Sequence, residues 1–361
     1  MPSVVVIGQG FAGLTTALVL SRNGYLVTVV GPPSDRLTAS TAAHGVSTIK
    51  GLLESTQELF ALKISGHRMF LPWLSGVEAD SGLAVSKVLG VHEPFWLKED
   101  YWLNQKRIYK RRYLGAFSLE ASECPHFKMA FLTNLYPQDF WVDTDEYLLA
   151  LKAACVRLGV AFGMEERVIG LVESGREVVP EFEQGTGKTF DFAVISAGAG
   201  SLRVGSGLTS AMEGLYGLGG STFICEAEGF GDGETFCAVR QFHAGTLHKN
   251  KIYLGATTDT GVFPLSINES ETVAALDLAK VVPLTAGAIA ARLFNRKAIA
   301  EHSSAGRWGL RVRTKNRTPV VKLVGIEGRV VLNTGYYKNG VTLTPWGAYC
   351  VLAKLNKHLS S

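Results

Sequence analysis

The chain has 361 residues, 47% of them hydrophobic and 19% charged, a composition that excludes intrinsic disorder and allows one large core or two domains. Lysine and arginine (36) exceed aspartate and glutamate (32) by four, a basic excess too small to indicate nucleic acid as a partner.

The opening run SVVVIG (residues 3–8) is β-branched and reads as a buried strand. Ala12 to Gly24 follows as a helix that stops near Gly24, and Tyr25 to Gly31 is a second strand, which makes a βαβ opening. Pro32 to Gly51 is a loop of small residues expected to feed a short helix. Residues 60–140 mix their patterns, carry many aromatics and define no clear elements. Within them Lys106, Arg107, Lys110, Arg111 and Arg112 crowd together, read as a solvated edge, with docking of a protein or nucleic acid as the alternative. Thr144 to Gly159 is a helix with Thr144 as its expected cap and a stripe of Tyr147, Leu148, Leu151, Ala154, Cys155 and Leu158. Strands are expected at 166–172, at 177–182 and within 189–201, where the last runs into a glycine-rich turn. Residues 218–260 read as mostly strand, and 271–294 as a helix interrupted near Pro283. Arg329 to Gly335 is a late strand, and Gly340 to Leu359 begins as a turn and becomes the C-terminal helix.

The five cysteines form no close pair, which argues against a disulfide framework or a zinc site; no metal is expected. The sequence has no run of 18 apolar residues and no basic-then-apolar leader, so neither a membrane span nor secretion is expected, and the expected location is the cytoplasm.

Gly8, Gly10 and Gly13 form GxGxxG between the first strand and the first helix. Glycines there let the backbone approach a pyrophosphate, and the helix start offers unpaired N–H donors. The acid that usually holds the ribose belongs at the end of the second strand, where this chain has Gly31, Pro32, Pro33, Ser34 and Asp35. Asp35 reaching back from the loop is one solution; serine, backbone or water is the other.

Two distant stretches extend the pattern. STAAHGVST (residues 40–48), WGLRVRTKNRTPVV (308–321) and VLNTGYYKNGVTLTPWG (331–347) join the N-terminal turn, DFWVDTDEYLLALKAACVRLGVAF and FAVISAGAGS. Together they resemble the amino-acid oxidase superfamily of FAD enzymes, nearest to glycine oxidase and its D-amino-acid and sarcosine oxidase relatives. Most of the chain is covered, with residues 55–135 poorly matched. The resemblance implies an α/β fold: a Rossmann-like FAD-binding domain (1–75, 140–215 and 305–361) interleaved with a mainly antiparallel-sheet substrate domain (76–139 and 216–304). It implies FAD held by Gly8, Gly10, Phe11, Ala12 and Gly13 at the pyrophosphate. Ser40, Thr41, Ala43, His44 and Gly45 would lie beside the ring, with Val168, Ala197 and Gly198 over the dinucleotide. Gly335, Tyr337, Lys338, Asn339, Gly340, Val341 and Thr342 would sit at the carbonyl side of the isoalloxazine, where backbone donors and a helix start meet developing negative charge.

The same resemblance implies oxidation of the C–N bond of a small amino acid or amine by hydride transfer to flavin, hydrolysis of the imine, and reoxidation by O2 to H2O2. Arg311 would grip the substrate carboxylate; an interior salt bridge or a flavin contact is its alternative. Arg313 reads as a second anchor or a surface charge. The family's middle-strand tyrosines are replaced by Ala238 and His243, with Tyr253 and Arg240 nearby, which reshapes the pocket. His243 reads as a pocket acid or base or as a structural histidine. His44 reads as a hydrogen-bonding group, with covalent flavin attachment as the alternative. These departures keep open a second function: a monooxygenase or cofactor-maturation enzyme acting on a larger substrate, such as an aromatic residue of a partner protein.

Overall fold

The computed structural model describes residues 1–33, 38–49, 57–95, 97–111, 117–120, 132–204, 214–226, 233–237, 244–255, 262–263, 305–325 and 327–360. The helix expected over 271–294 lies outside the described residues. In chain order the strands are β1 (Ser3–Ile7), β2 (Leu26–Val30), β3 (Val46–Ser47), β4 (Lys87–Phe95), β5 (Phe117–Glu120) and β6 (Leu132–Val142). They continue as β7 (Ala161–Phe162), β8 (Val168–Ser174), β9 (Glu177–Phe182), β10 (Gly185–Thr186), β11 (Phe192–Ile195) and β12 (Tyr216–Glu226). The rest are β13 (Glu234–Cys237), β14 (Ala244–His248), β15 (Lys251–Gly255), β16 (Val262–Phe263), β17 (Ala305–Arg313), β18 (Val320–Val324) and β19 (Val330–Thr334). The helices are α1 (Phe11–Arg22), α2 (Gln57–Ser81), α3 (Lys98–Arg111), α4 (Thr144–Arg157), α5 (Ser201–Val204) and α6 (Gly340–Leu359).

Among the described residues these strands form three sheets. The first has six strands in the order β18-β19-β11-β1-β2-β7 and is parallel except for β18. Its central strand is apolar on both faces because both faces are covered. Val4 and Val6 pack with Leu14, Leu18, Tyr147, Leu151, Val351 and Leu355 in the helical layer. Val5 and Ile7 pack with Val168, Val178 and Phe182 of the three-stranded sheet β10-β9-β8. The third sheet has ten strands; β17 pairs antiparallel with β12 from Ala305 to Arg313, and β3 pairs with β6 at its far end. No helix among the described residues is long and apolar enough to cross a membrane.

Two local expectations are corrected. The helix after the small-residue loop is α2, and it is long, with 25 residues. Gly66, Pro72 and Gly76 interrupt its apolar pattern, which hid it in the sequence. Gly66 has a packing reason: a Cβ there would strike Leu343 and come within 3.0 Å of the Thr342 carbonyl. One turn or two later Trp73 meets Tyr349 edge-on, with ring centroids 6.5 Å apart, so α2 and α6 run side by side in the same direction. The cap of α4 is Asp143 and not Thr144. Asp143 Oδ1 accepts from the Asp145 and Glu146 amides at 2.9 and 3.1 Å, and Thr144 Oγ1 donates instead to the Ala43 carbonyl at 3.1 Å. The basic run forms the end of α3 as far as Arg111.

A buried polar chain ties α1, β19 and α6 together. Thr16 Oγ1 donates to the Ala12 carbonyl (2.7 Å), Asn333 Nδ2 donates to Thr16 Oγ1 (3.0 Å), and the Tyr336 hydroxyl donates to Asn333 Oδ1. Gly347 of α6 lies against that hydroxyl, so a Cβ there would collide with Tyr336 Oη. Gly347→Ala is expected to cost about 2 kcal/mol or more, as overpacked core sites do, read as a lower thermal midpoint. Gly76→Ala, also in a helix but 3.5 Å from only the Arg22 guanidinium, is the control and should be neutral or slightly stabilising.

Candidate cofactor and substrate site

A cavity of about 750 Å³ opens at the C-terminal end of β1 and runs beneath residues 38–49, β17 and the segment from Asn333 to Thr344. At its first end the chain turns at Gly8 (φ +114°), whose amide donates to the Val30 carbonyl at 2.9 Å. A Cβ on Gly8 would lie 2.6 Å from the Ser196 carbonyl oxygen, and one on Gly10 2.7 Å from Ser40 Oγ. Gly10 caps α1 without a side chain, the first turn holds no acid, and Ser40 Oγ accepts from the Phe11 amide at 3.1 Å. The result is a bare helix start facing open space, the geometry that receives a phosphate. Phe11 and Ala12 line the cavity, and so do Val168, Ala197 and Gly198. Gly13 is not part of the wall: it is buried, and any Cβ there would overlap the Gly8 carbonyl, so it seats α1 on β1. Beside this turn Gly31 (φ +105°) occupies a conformation hostile to side chains, and its carbonyl accepts from Gln9 Nε2 at 2.6 Å. Asp35 lies outside the described residues.

The middle of the cavity is formed by residues 40–45, held from below by three side chains. Thr222 Oγ1 donates to the Ala42 carbonyl (2.8 Å), Thr144 Oγ1 to that of Ala43, and Trp141 Nε1 to that of His44 (2.8 Å). Gly45 (φ +87°) then passes so close to Val142 that a Cβ would strike its carbonyl. Ser40, Ala43, His44 and Gly45 face the cavity, whereas Thr41 is turned to Thr38. The His44 ring is buried, and Nε2 lies 2.9 Å from the Tyr253 carbonyl. A carbonyl only accepts, so Nε2 carries the proton and Nδ1 is a bare acceptor with no partner among the described residues. Burial pushes the imidazole down to about 4, so His44 is neutral at physiological pH.

The far end collects cations. Arg311 projects from β17, where it pairs with Leu218 of β12, and is only 7% exposed. Its guanidinium occupies the space over Gly220, where any Cβ would collide with it. Arg313 does not line the cavity; its guanidinium lies over the rings of Tyr216 (4.8 Å) and Tyr337 (5.2 Å), joining β12 to the late turn. Tyr337 itself holds φ +52°, a strained value for a side chain, and Lys338 Nζ lies 5.6 Å from its ring. Gly335, Tyr337, Lys338, Asn339, Gly340, Val341 and Thr342 line the wall. Asn339 makes no side-chain cap on α6 and the first turn holds no acid, so a second bare helix start faces the cavity. Tyr253 stands off the wall, its hydroxyl donating to Asp143 (3.2 Å) and its ring against Trp141. His243, Ala238 and Arg240 lie outside the described residues.

A family model described as FAD dependent oxidoreductase (DAO) matches residues 3–354. The chain belongs to the DAO family. Solved structures with this fold include glycine oxidase from Geobacillus kaustophilus, 19% identical with a TM-score of 0.79 over 99% of this chain and 95% of that one. Iminodiacetate oxidase from Chelativorans sp. BNC1 is 16% identical, with a TM-score of 0.77 over 98% and 95%. L-α-glycerophosphate oxidase from Mycoplasma pneumoniae with FAD bound is 15% identical, with a TM-score of 0.78 over 99% and 95%. A search of curated protein sequences finds no match. As a DAO-family oxidoreductase the protein is a flavoenzyme with FAD as its cofactor. The cavity fits that group: it has an open glycine turn for the pyrophosphate, two bare helix starts, and in His44 an acceptor without a partner among the described residues.

Within the DAO-family pattern the sequence reading missed Lys63, His67 and Arg317, all of which line the cavity. Lys63 and His67 stand four residues apart on one face of α2 and were lost with that helix. His67 Nδ1 accepts from Ser47 Oγ (2.8 Å), its Nε2 donates to the Gln138 carbonyl (2.9 Å), and burial lowers its proton affinity. Burial, and then the Arg317 charge, push the Lys63 ammonium down to about 8.

The neutral His44 has a consequence for stability. Between about pH 6.5 and 4 the unfolded chain protonates this imidazole and the folded chain does not, so stability is complete above that window and falls as pH drops through it. At about pH 5 the loss from His44 is roughly 2 kcal/mol. Urea midpoints of the FAD-loaded enzyme, compared near neutrality and near pH 5, should therefore drop less in His44→Gln than in wild type. Equal drops would show that this histidine is not held neutral.

Proposed function

We propose that this DAO-family enzyme oxidises the C–N bond of a small amino acid or amine adjacent to a carboxylate. Balanced, the amino acid, O2 and water become the oxo acid, ammonia and H2O2. Bound FAD supplies the acceptor for the electron pair leaving the substrate α-carbon and the subsequent reaction with dioxygen. The observation that carries the reading is Arg311: a buried guanidinium, given its space by Gly220, on the wall of the cavity that fits the cofactor. Its planar fork matches a carboxylate, and burial strengthens the pair.

In this reading Arg311 fixes the substrate so that its α C–H is aimed at the cofactor, and orientation provides much of the rate. Gly8, Gly10 and the start of α1 hold the pyrophosphate. The start of α6, with Lys338, would hold the end of the bound cofactor on which reduction develops negative charge. His44, neutral and donating to Tyr253, offers Nδ1 as an acceptor and adds no positive charge. No strong side-chain base is required of the chain. The domain division belongs to the same proposal, with residues 1–75, 140–215 and 305–361 holding FAD and 76–139 and 216–304 covering substrate; the six-stranded sheet, drawn wholly from the first group, supports it, while β3 and β17 of that group reach into the ten-stranded sheet.

The test begins with the absorption spectrum of the purified protein and anaerobic bleaching of its flavin by a panel of amino acids and amines. Arg311→Met should retain flavin while kcat/KM for a carboxylated substrate falls about a hundredfold, within the range for removing one partner of a buried charge pair. Gly220→Ala, by pushing the guanidinium aside, should raise KM and leave flavin content unchanged. Wild-type kinetics in both variants would remove Arg311 from the substrate site.

A further inference from the structure

Arg311, Lys338 and the two helix starts have anions assigned to them in the reading above; Lys63 and Arg317 do not. Their placement follows from helix packing. Gly66 of α2 lies against Thr342 and Leu343, and Trp73 against Tyr349, so the two helices advance together. Lys63 stands three residues before Gly66 and therefore extends past the first turn of α6 into the cavity it lines. Arg317 lines the same cavity from the turn between β17 and β18, with φ +65° and an exposed side chain. The two cations act on each other, and among the described residues no acid acts on Lys63.

Two like charges on the wall of one cavity, one of them half-buried, oppose each other until an anion joins them. The exposure of Arg317 places it at the open edge of the cavity.

We propose that Lys63 and Arg317 form a second anion subsite, so that the substrate is an amino or imino acid with a second acidic group: one carboxylate on Arg311, the other between Lys63 and Arg317. This rests on the amine-oxidation reading and narrows it to acidic substrates. Arg311 fixes the reacting end and the pair selects the tail, so the subsite governs KM and discrimination more than the chemical step.

The test uses the FAD-loaded enzyme at neutral pH and two unreactive ligands of the same carbon skeleton, butyrate and succinate, titrated by perturbation of the flavin spectrum. Succinate should bind about tenfold tighter or better, the lower end of what a charge-assisted hydrogen bond contributes. Lys63→Met and Arg317→Gly, the latter suited to the left-handed backbone there, should each bring succinate down to the level of butyrate while butyrate itself is unchanged. Lys63→Arg should keep the preference. Equal binding of the two ligands by wild type, or a preference that survives both variants, overturns the subsite. A change in sulfite affinity of the ligand-free flavin, with the succinate-to-butyrate ratio unmoved, also overturns it and gives the pair to the cofactor. If butyrate binds in an Arg311-dependent way but succinate gains nothing, only the subsite fails. If neither ligand binds and no amine bleaches the flavin, the reading beneath it fails as well.

Discussion

The close seating of α1 on the end of β1 is the constraint on which the remaining structure depends. Gly13 leaves no room for a side chain against the Gly8 carbonyl, and that lack of room brings the helix start level with the strand end. Once α1 is so placed, Phe11, Leu14, Ala17 and Leu18 are buried among α2, α4 and α6, and Thr16 reaches Asn333. The second bare helix start, at α6, is therefore positioned relative to the first by packing rather than by any ligand. A cavity with two positive ends follows from one glycine contact and the apolar layer around it.

The larger sheet contributes by gripping the loop that the first sheet sends out. Residues 42–44 have their carbonyls taken by Thr222, Thr144 and Trp141, side chains from β12, α4 and β6. Gly220 of β12 then makes space for Arg311 from the neighbouring β17. Charge is managed by the same packing. His44 and His67 are buried beside carbonyls that fix their tautomers and are held neutral, so the positive charge of the wall comes from lysine, arginine and helix ends.

Much of this was legible in the residues. GxGxxG between a strand and a helix, and KNG before a C-terminal helix, mark both helix starts that line the cavity because glycine spacing and helix starts are local properties. The short strands of the parallel sheet, β1, β2, β11 and β19, announced themselves through β-branched runs, whereas the longer β4 and β6 fell where no element was expected. What stayed hidden depended on tertiary contact. α2 was obscured by Gly66 and Pro72, although Gly66 is there to admit α6. With the helix went Lys63 and His67, whose common face is visible only once the helix is drawn. Asp143 outranked Thr144 as a cap because the Ala43 carbonyl had claimed the threonine hydroxyl. Arg313 was assigned by charge alone, and its aromatic sandwich comes from two segments more than a hundred residues apart.

The middle strand β1 is flanked by β2 and by β11, and β11 in turn by β19, so the parallel sheet interleaves early, central and late parts of the chain. During synthesis the glycine turn emerges more than three hundred residues before the opposite wall of the cavity, residues 333–344. A chain on which that wall has not yet been made therefore has no enclosed place for the dinucleotide, and capture of the cofactor becomes a checkpoint that only correctly threaded molecules pass. By mass action, molecules that pass it are then harder to unfold and to degrade, so the abundance of this enzyme in a cell is tied to the supply of its vitamin-derived cofactor.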